Sequence, residues 1–198
     1  MRQRAHAIVM FLLAAVIIGL AGCSEPEEPK ETWTIGMSQC NLGEPWRVQM
    51  NADIEQAAAG HDELEVVFKD AQNDTLKQRA HVEEFVSAGV DLIIISPKEA
   101  QPLTEPVAKA IEAGIPVIVL DRRVIGGQYT CFIGADNVLI GREAGKWIVN
   151  QLGGAGNVVE LEGLMTSTPG QDRHRGFREA IEGTGIDIIF EADMKWLE

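Results

Sequence analysis

From Thr32 onward two hydrophobic periodicities alternate along the chain. Short runs rich in Val and Ile are Trp33–Met37, Leu64–Phe68, Leu92–Ile95, Pro116–Leu120, Val158–Leu161 and Ile186–Phe190. They recur at roughly 25–40 residues, which is the spacing of strand–helix–strand units. Leu92-Ile93-Ile94-Ile95 is apolar on both sides, as a parallel strand covered on both faces requires. Helical stretches fill the intervals. Pro45 opens the first at its N1 position, with Met50, Ile54 and Ala57 on one face. The second runs from Leu76 to Ala88 and stops at Gly89; the third covers Thr104–Ala113 and stops at Gly114. Asp136 caps the fourth, whose stripe is Ile140, Ala144, Trp147 and Ile148. Thr168-Pro169-Gly170-Gln171 reads as a capping box opening the fifth, with proline at N1. The pattern predicts a doubly wound α/β architecture.

Tyr129–Ile133 interrupts the alternation. It follows Pro116–Leu120 after a short loop containing Gly126-Gly127, with no room for a crossover helix. A strand of that kind can leave one sheet and lead into another, so a boundary is expected near Gly134-Ala135. That gives a first lobe over residues 32–134 and the start of a second over 135–198. Two ordinary α/β lobes need about 250 residues. Either the chain is truncated or the second lobe is unusually small; truncation, with an incomplete second lobe, is expected.

The start of the chain has a different pattern. Arg2 and Arg4 precede an apolar run from Ala7 to Leu20, which is short for a membrane span of about 20 residues. Leu20-Ala21-Gly22-Cys23 matches a bacterial lipobox. Residues 1–22 are expected to be a signal peptide, Cys23 a lipid-bearing N-terminus and residues 23–31 an acidic tether; an uncleaved anchor is the alternative. The segment before Cys23 holds two of the 17 basic residues and none of the 30 acidic ones, leaving a formal charge of −15 on the remainder. Such a surface repels nucleic acid and anionic lipid. Cys40 and Cys131 lack CxxC or Cys/His neighbours, so no metal or redox motif is present. Cys131 reads as a small buried side chain, and a bridge to Cys40 stays open.

Ligands of open parallel sheets lie beyond the carboxyl ends of the strands. Those ends present Ser38–Arg47, Asp121-Arg122 and the loop Glu162–Ser167 leading to Arg173. Trp46 can lay its indole on the C–H face of a sugar while Glu44 and Arg47 reach hydroxyls, or it can be a core tryptophan in line with Met50 and Ile54. Asp121 and Arg122 can hold vicinal hydroxyls, or form a local ion pair. Arg173 shares the inward face of Phe177 and Ile181 and should point to the sheet's rim, or else snorkel over its edge. Enzyme signals are poor. Gly153-Gly154-Ala155-Gly156 precedes a strand, so it is a turn and no dinucleotide fingerprint. His61, His81 and His174 have no ligand spacing and read as surface residues.

Val117–Leu120 with Asp121-Arg122, Gly134-Ala135-Asp136-Asn137-Val138, and Val159–Gly163 with Asp172–Phe177 resemble the ribose- and galactose-type periplasmic sugar-binding proteins of ABC importers. Ser38-Gln39 and Trp46-Arg47 bring the chain nearest their galactofuranose-binding branch. The resemblance implies a receptor of two lobes that closes on one pentose or hexose and presents it to an inner-membrane ABC permease. In it Trp46 would stack on the sugar, and Arg47, Asp121, Arg122 and Arg173 would bond its hydroxyls; Gln39, Glu44 and Asp136 complete the expected ligand set. It implies no cofactor, no metal, no enzymatic activity, no nucleic-acid partner, a monomer, and membrane attachment only through Cys23. The chain departs from the family at its end, where further ligand residues and hinge crossings of the second lobe are missing. The alternatives are an exported sugar sensor feeding a chemoreceptor or sensor kinase, or a non-functional fragment.

Overall fold

A computed structural model describes residues 32–195. The expected signal peptide, Cys23 and the tether lie outside the described residues. Within them the chain runs β1 (Trp33–Gln39), α1 (Pro45–Ala58), β2 (Leu64–Asp70), α2 (Thr75–Ala88), β3 (Leu92–Ser96), α3 (Ala100–Glu112), β4 (Val117–Leu120), β5 (Cys131–Ile133), α4 (Asn137–Gln151), β6 (Ala155–Glu162), α5 (Thr168–Ile181) and β7 (Gly185–Asp193). The first five strands form one parallel sheet in the order β2-β1-β3-β4-β5, and β6 pairs with β7 in a second parallel sheet. No described helix is long and apolar enough to cross a membrane.

The strand order reverses at β1, because the chain steps one way to β2 and the other way to β3 and β4. Right-handed crossovers then place α1 on the face opposite α2 and α3. Side chains confirm the two faces. Phe85 and Val82 of α2 and Leu103, Val107 and Ala110 of α3 bury against Ile93, Ile95, Val117 and Val119. Gly36 of β1 lies under the Phe85 ring so closely that a Cβ would sit 2.6 Å from it. Alternate residues point the other way: Gln39 reaches Met50 and Asn51 of α1.

Several expectations are corrected. β5 does not leave the first sheet; it pairs in parallel with β4, Ile118 opposite Cys131, after a helix-free loop. That loop is anchored from both ends: Val124 is buried in the core, and the Val117 amide donates to the Thr130 hydroxyl. As a three-residue edge strand, β5 leaves Cys131 exposed, not buried; Cys40 is buried, and both thiols are free. Helix α3 begins at Ala100 rather than Thr104 and carries Pro106 inside it. Pro106 has no N–H for the Pro102 carbonyl four residues back. The Arg79 guanidinium donates to that carbonyl instead, at 2.8 Å.

At α5, Thr168 is the first helical residue and Ser167 the N-cap, so the expected capping box is absent. The Ser167 hydroxyl bonds the Leu164 carbonyl, Gln171 bonds the Met165 carbonyl, and the Thr168 hydroxyl accepts from the Arg123 amide. Asp136 does cap α4, accepting from the Leu139 amide at 3.0 Å. The buried face of α4 is Asn137, Gly141 and Gly145; Ala144 is exposed and Trp147 is 61% exposed. Glycine takes the contact face because α4 and α5 meet backbone to backbone. A Cβ on Gly141 would lie 2.0 Å from the Arg173 carbonyl, and one on Gly176 2.0 Å from that of Val138.

Candidate functional site

The crevice lies beyond the carboxyl ends of β1, β3 and β4. Arg47, in the first turn of α1, is wholly buried over the switch point between β1 and β3. Burying a guanidinium is tolerated only where its donors are matched. Its Nε donates to Glu44 Oε2 at 2.7 Å, and its Nη1 to Gln39 Oε1 at 3.1 Å and Ser96 Oγ at 3.0 Å. Its Nη2 lies 3.7 Å from Asp121 Oδ2, beyond hydrogen-bond distance.

Asp121 follows β4 with φ of 62°, a left-handed conformation that aspartate tolerates better than most side chains. This turn sets its carboxylate between two guanidiniums: 3.7 Å from Arg47 and 3.5 Å from Arg122 Nε. Arg122 is nearly buried and donates through Nη1 to the Lys98 carbonyl at 3.1 Å. Burial, the largest influence, pulls its pKa below the ordinary arginine value, with Arg47 adding to the effect and Asp121 opposing it. Burial also pushes the neighbouring Cys40 thiol up.

Trp46 is no core residue. It is 46% exposed, with the Arg47 guanidinium 4.0 Å from its ring centroid. Its indole, Asp121, Arg122 and Arg173 line a cavity of about 820 Å³ that continues between α4, α5 and β6 past Phe177. Arg173 does not lie on a buried helical face as expected: the buried side of α5 is Pro169, Gly176 and Ile181. It is exposed, and its Nε donates to Asn137 Oδ1 at 2.8 Å.

The expected site residues thus divide. Trp46, Asp121, Arg122 and Arg173 front the cavity. Arg47 lies beside Asp121, and Glu44 pairs with Arg47. Gln39 is turned away from it, with its amide nitrogen near Met50 and Asn51 and its oxygen accepting from Arg47 and the Cys40 amide. The Asp136 carboxylate is engaged as the cap of α4.

Sequence reasoning missed Ser96, Asn137 and two histidines. His81 is buried on the inner face of α2, with Nδ1 3.2 Å from Ser38 Oγ, and burial lowers its pKa. His174 is half-buried between two carboxylates, its Nδ1 3.1 Å from Glu160 and 3.0 Å from Glu162. With Glu191, which pairs with Arg178, these groups present donor atoms within 4.8 Å of one another. Glu160 and Glu162 share a strand face and His174 comes from the next helix, so no spacing in the sequence announces the cluster. Ser96 was findable, since it ends β3 as Gln39 ends β1.

Charged side chains converging beyond the strand ends, where the strand order reverses, define the ligand crevice of a doubly wound α/β protein. The family described as "periplasmic binding protein domain" matches residues 35–197, and the chain belongs to that family. It is 32% identical over 170 residues to the ribose import binding protein RbsB of Bacillus subtilis, covering 85% of this chain and 55% of that protein. It is 34% identical over 161 residues to the galactofuranose-binding protein YtfQ of Escherichia coli, covering 79% of this chain and 50% of that one. Among solved structures, the fructose binding periplasmic domain of a hybrid two-component system is 44% identical with a TM-score of 0.79, over 83% of this chain and 55% of that one. The chain spans about half the length of the curated relatives it matches.

Proposed function

We propose that this chain belongs to an extracytoplasmic solute-binding protein that holds a monosaccharide in the crevice and delivers it to an ABC sugar importer. One observation carries the reading: an exposed indole, the half-buried Asp121 carboxylate and the nearly buried Arg122 guanidinium converge on one cavity at the switch point, with Arg47 beside Asp121. An apolar ring face beside charged donors and acceptors suits a sugar, whose C–H and O–H groups alternate. In this reading Trp46 stacks on the ring, and Asp121, Arg122 and Arg173 bond hydroxyls, with Arg47 reaching the ligand through Nη2. Residues 32–134 form the first lobe and residues 135–198 begin the second. Cys23 carries lipid that tethers the receptor to the membrane, beside the permease. The names of the ribose- and galactofuranose-binding relatives support the ligand class.

Titration calorimetry of the full chain against D-ribose, D-fructose, D-galactose and myo-inositol tests it. Heat from at least one sugar, lost in Arg122→Ala, is expected; no heat from any sugar with folded protein refutes it. A second reading, a sugar sensor feeding a kinase, is favoured by the 44% identity to a domain of a two-component system. A permease gene beside this one supports uptake, and a kinase gene supports sensing.

A further inference from the structure

Arg47 has more neighbours than a ligand contact requires. A guanidinium carries five N–H donors in a rigid plane. The Nε–H is taken by Glu44, and both Nη1 hydrogens are matched, one by Gln39 Oε1 and one by Ser96 Oγ. The Nη2 pair is buried and finds no hydrogen-bond acceptor among the described residues. The two acceptors of Nη1 are not scattered: Gln39 and Ser96 are register partners on β1 and β3, the last residues of both strands. They form a two-oxygen shelf across the switch point, on the α1 side of the sheet.

The shelf is itself fixed from behind. The Gln39 amide nitrogen faces Met50 Sδ at 3.4 Å and Asn51 Oδ1 at 3.3 Å. The Ser96 carbonyl accepts from Gln78 Nε2 at 2.9 Å, and Gln78 Oε1 accepts from the Lys98 amide at 2.9 Å. Gln39, Ser96 and Gln78 are all fully buried. Glu44 alone holds only the Nε end and would leave the hindered rotation about the Nε–Cζ bond to exchange the two Nη groups. The shelf removes that freedom.

We infer that Ser96, together with Gln39, is a positioning residue: it touches no ligand, but locks the Arg47 guanidinium so that its Nη2 group is held on the side of Asp121, which lines the cavity. This rests on the sugar-binding reading for its functional consequence, but not for its structural content. It also assigns Gln39 a place behind Arg47 in place of a ligand contact. The site then selects a ligand oxygen that accepts from Nη2, and Ser96 contributes to that selection without being part of the cavity wall.

The test uses the full chain and a double-mutant cycle. Ser96→Ala leaves a buried Nη1 hydrogen without its acceptor, and affinity for the tightest-binding sugar of the panel should fall about tenfold. In the Arg47→Met background, Ser96→Ala should weaken binding no further, because Ser96 acts only through Arg47. Equal weakening in both backgrounds, or none in either, overturns the inference. Arginine side-chain NMR of the sugar-free protein is the independent arm. Separate Nη1 and Nη2 signals for Arg47, merging through exchange in Ser96→Ala, are expected; merged signals in the wild type, or separate ones in the variant, overturn it. If no sugar binds the wild type, the functional reading falls and the NMR arm alone decides the positioning role. Should Ser96→Ala fail to fold, Gln39→Met removes the other half of the shelf and reads out both measurements.

Discussion

Gly141→Ala puts a methyl group where α4 and α5 touch. Its Cβ would lie 2.0 Å from the Arg173 carbonyl oxygen and 2.7 Å from the carbonyl carbon. Both obstacles are backbone, so no side-chain rotation relieves the contact. Carbon–oxygen contacts settle at about 3.3 Å, so the helices must part locally by about 1.3 Å. Two effects then oppose each other. Overpacking a rigid interior costs about 1–3 kcal/mol. Alanine in place of a helical glycine returns about 1 kcal/mol. Since the clash is with main chain, the upper end of the cost applies, and a net loss of about 2 kcal/mol remains. In a chain of this size that lowers Tm by about 4–8 °C. Thermal melts followed by far-UV circular dichroism would read it, with Gly127→Ala as the comparison, because nothing lies within 4 Å of a Cβ there. A Tm for Gly141→Ala equal to or above wild type would show that the helices are not in backbone contact. Arg173 would then have no fixed station at the rim, since its contact with Asn137 is made at the same crossing.

Two further outcomes follow from buried groups. His81 has its pKa lowered from 6.5, first by burial and then by Lys69 and Lys77, with Glu84 and Asp70 opposing. The unfolded chain therefore takes up a proton at higher pH than the folded one, so this contribution to stability is present above 6.5 and lost as pH falls below it. Urea midpoints of the wild type should drop between pH 7 and pH 5 more steeply than those of His81→Gln, and parallel slopes would contradict the assignment. Among the two described thiols, Cys131 is exposed while Cys40 is buried with its pKa raised. A thiol reagent at neutral pH should label Cys131 and spare Cys40, read by peptide mass; labelling of Cys40 in the native state would show that the base of the crevice opens to solvent.

The sheet was legible because its signal is repeated. Each buried strand carries its own apolar run, and the runs alternate with helices closed by Gly89 or Gly114, so one misread element does not change the class. The misreadings sit where one residue type supports two structures. The third helix, expected from Thr104, begins at Ala100, and inside it Arg79 supplies the donor that Pro106 lacks. Ile140, Ala144, Trp147 and Ile148 have the spacing of a packed stripe, yet the face that meets α5 is built from Gly141 and Gly145. A glycine stripe has no hydrophobicity to announce it; its information lies in the absent Cβ, which matters only once a partner backbone is 2.0 Å away.

The site divides along the same line. Asp121, Arg122 and Arg47 could be selected from the rule that ligands gather beyond strand ends, because their charges are anomalous beside buried strands. What each does there depends on pairing across the sheet, which a linear reading does not contain. Gln39 was expected among the ligand residues because it ends β1; its register partner is Ser96, and both accept from Arg47 Nη1. Asp136 looked like a ligand residue because of the block around it, and the helix it caps uses its carboxylate. His174 has no meaning in the sequence beside Glu160 and Glu162, and acquires one only when α5 folds back along β6. Residues that front the cavity are thus announced by where a strand ends, and residues that hold them in place by which strand lies alongside.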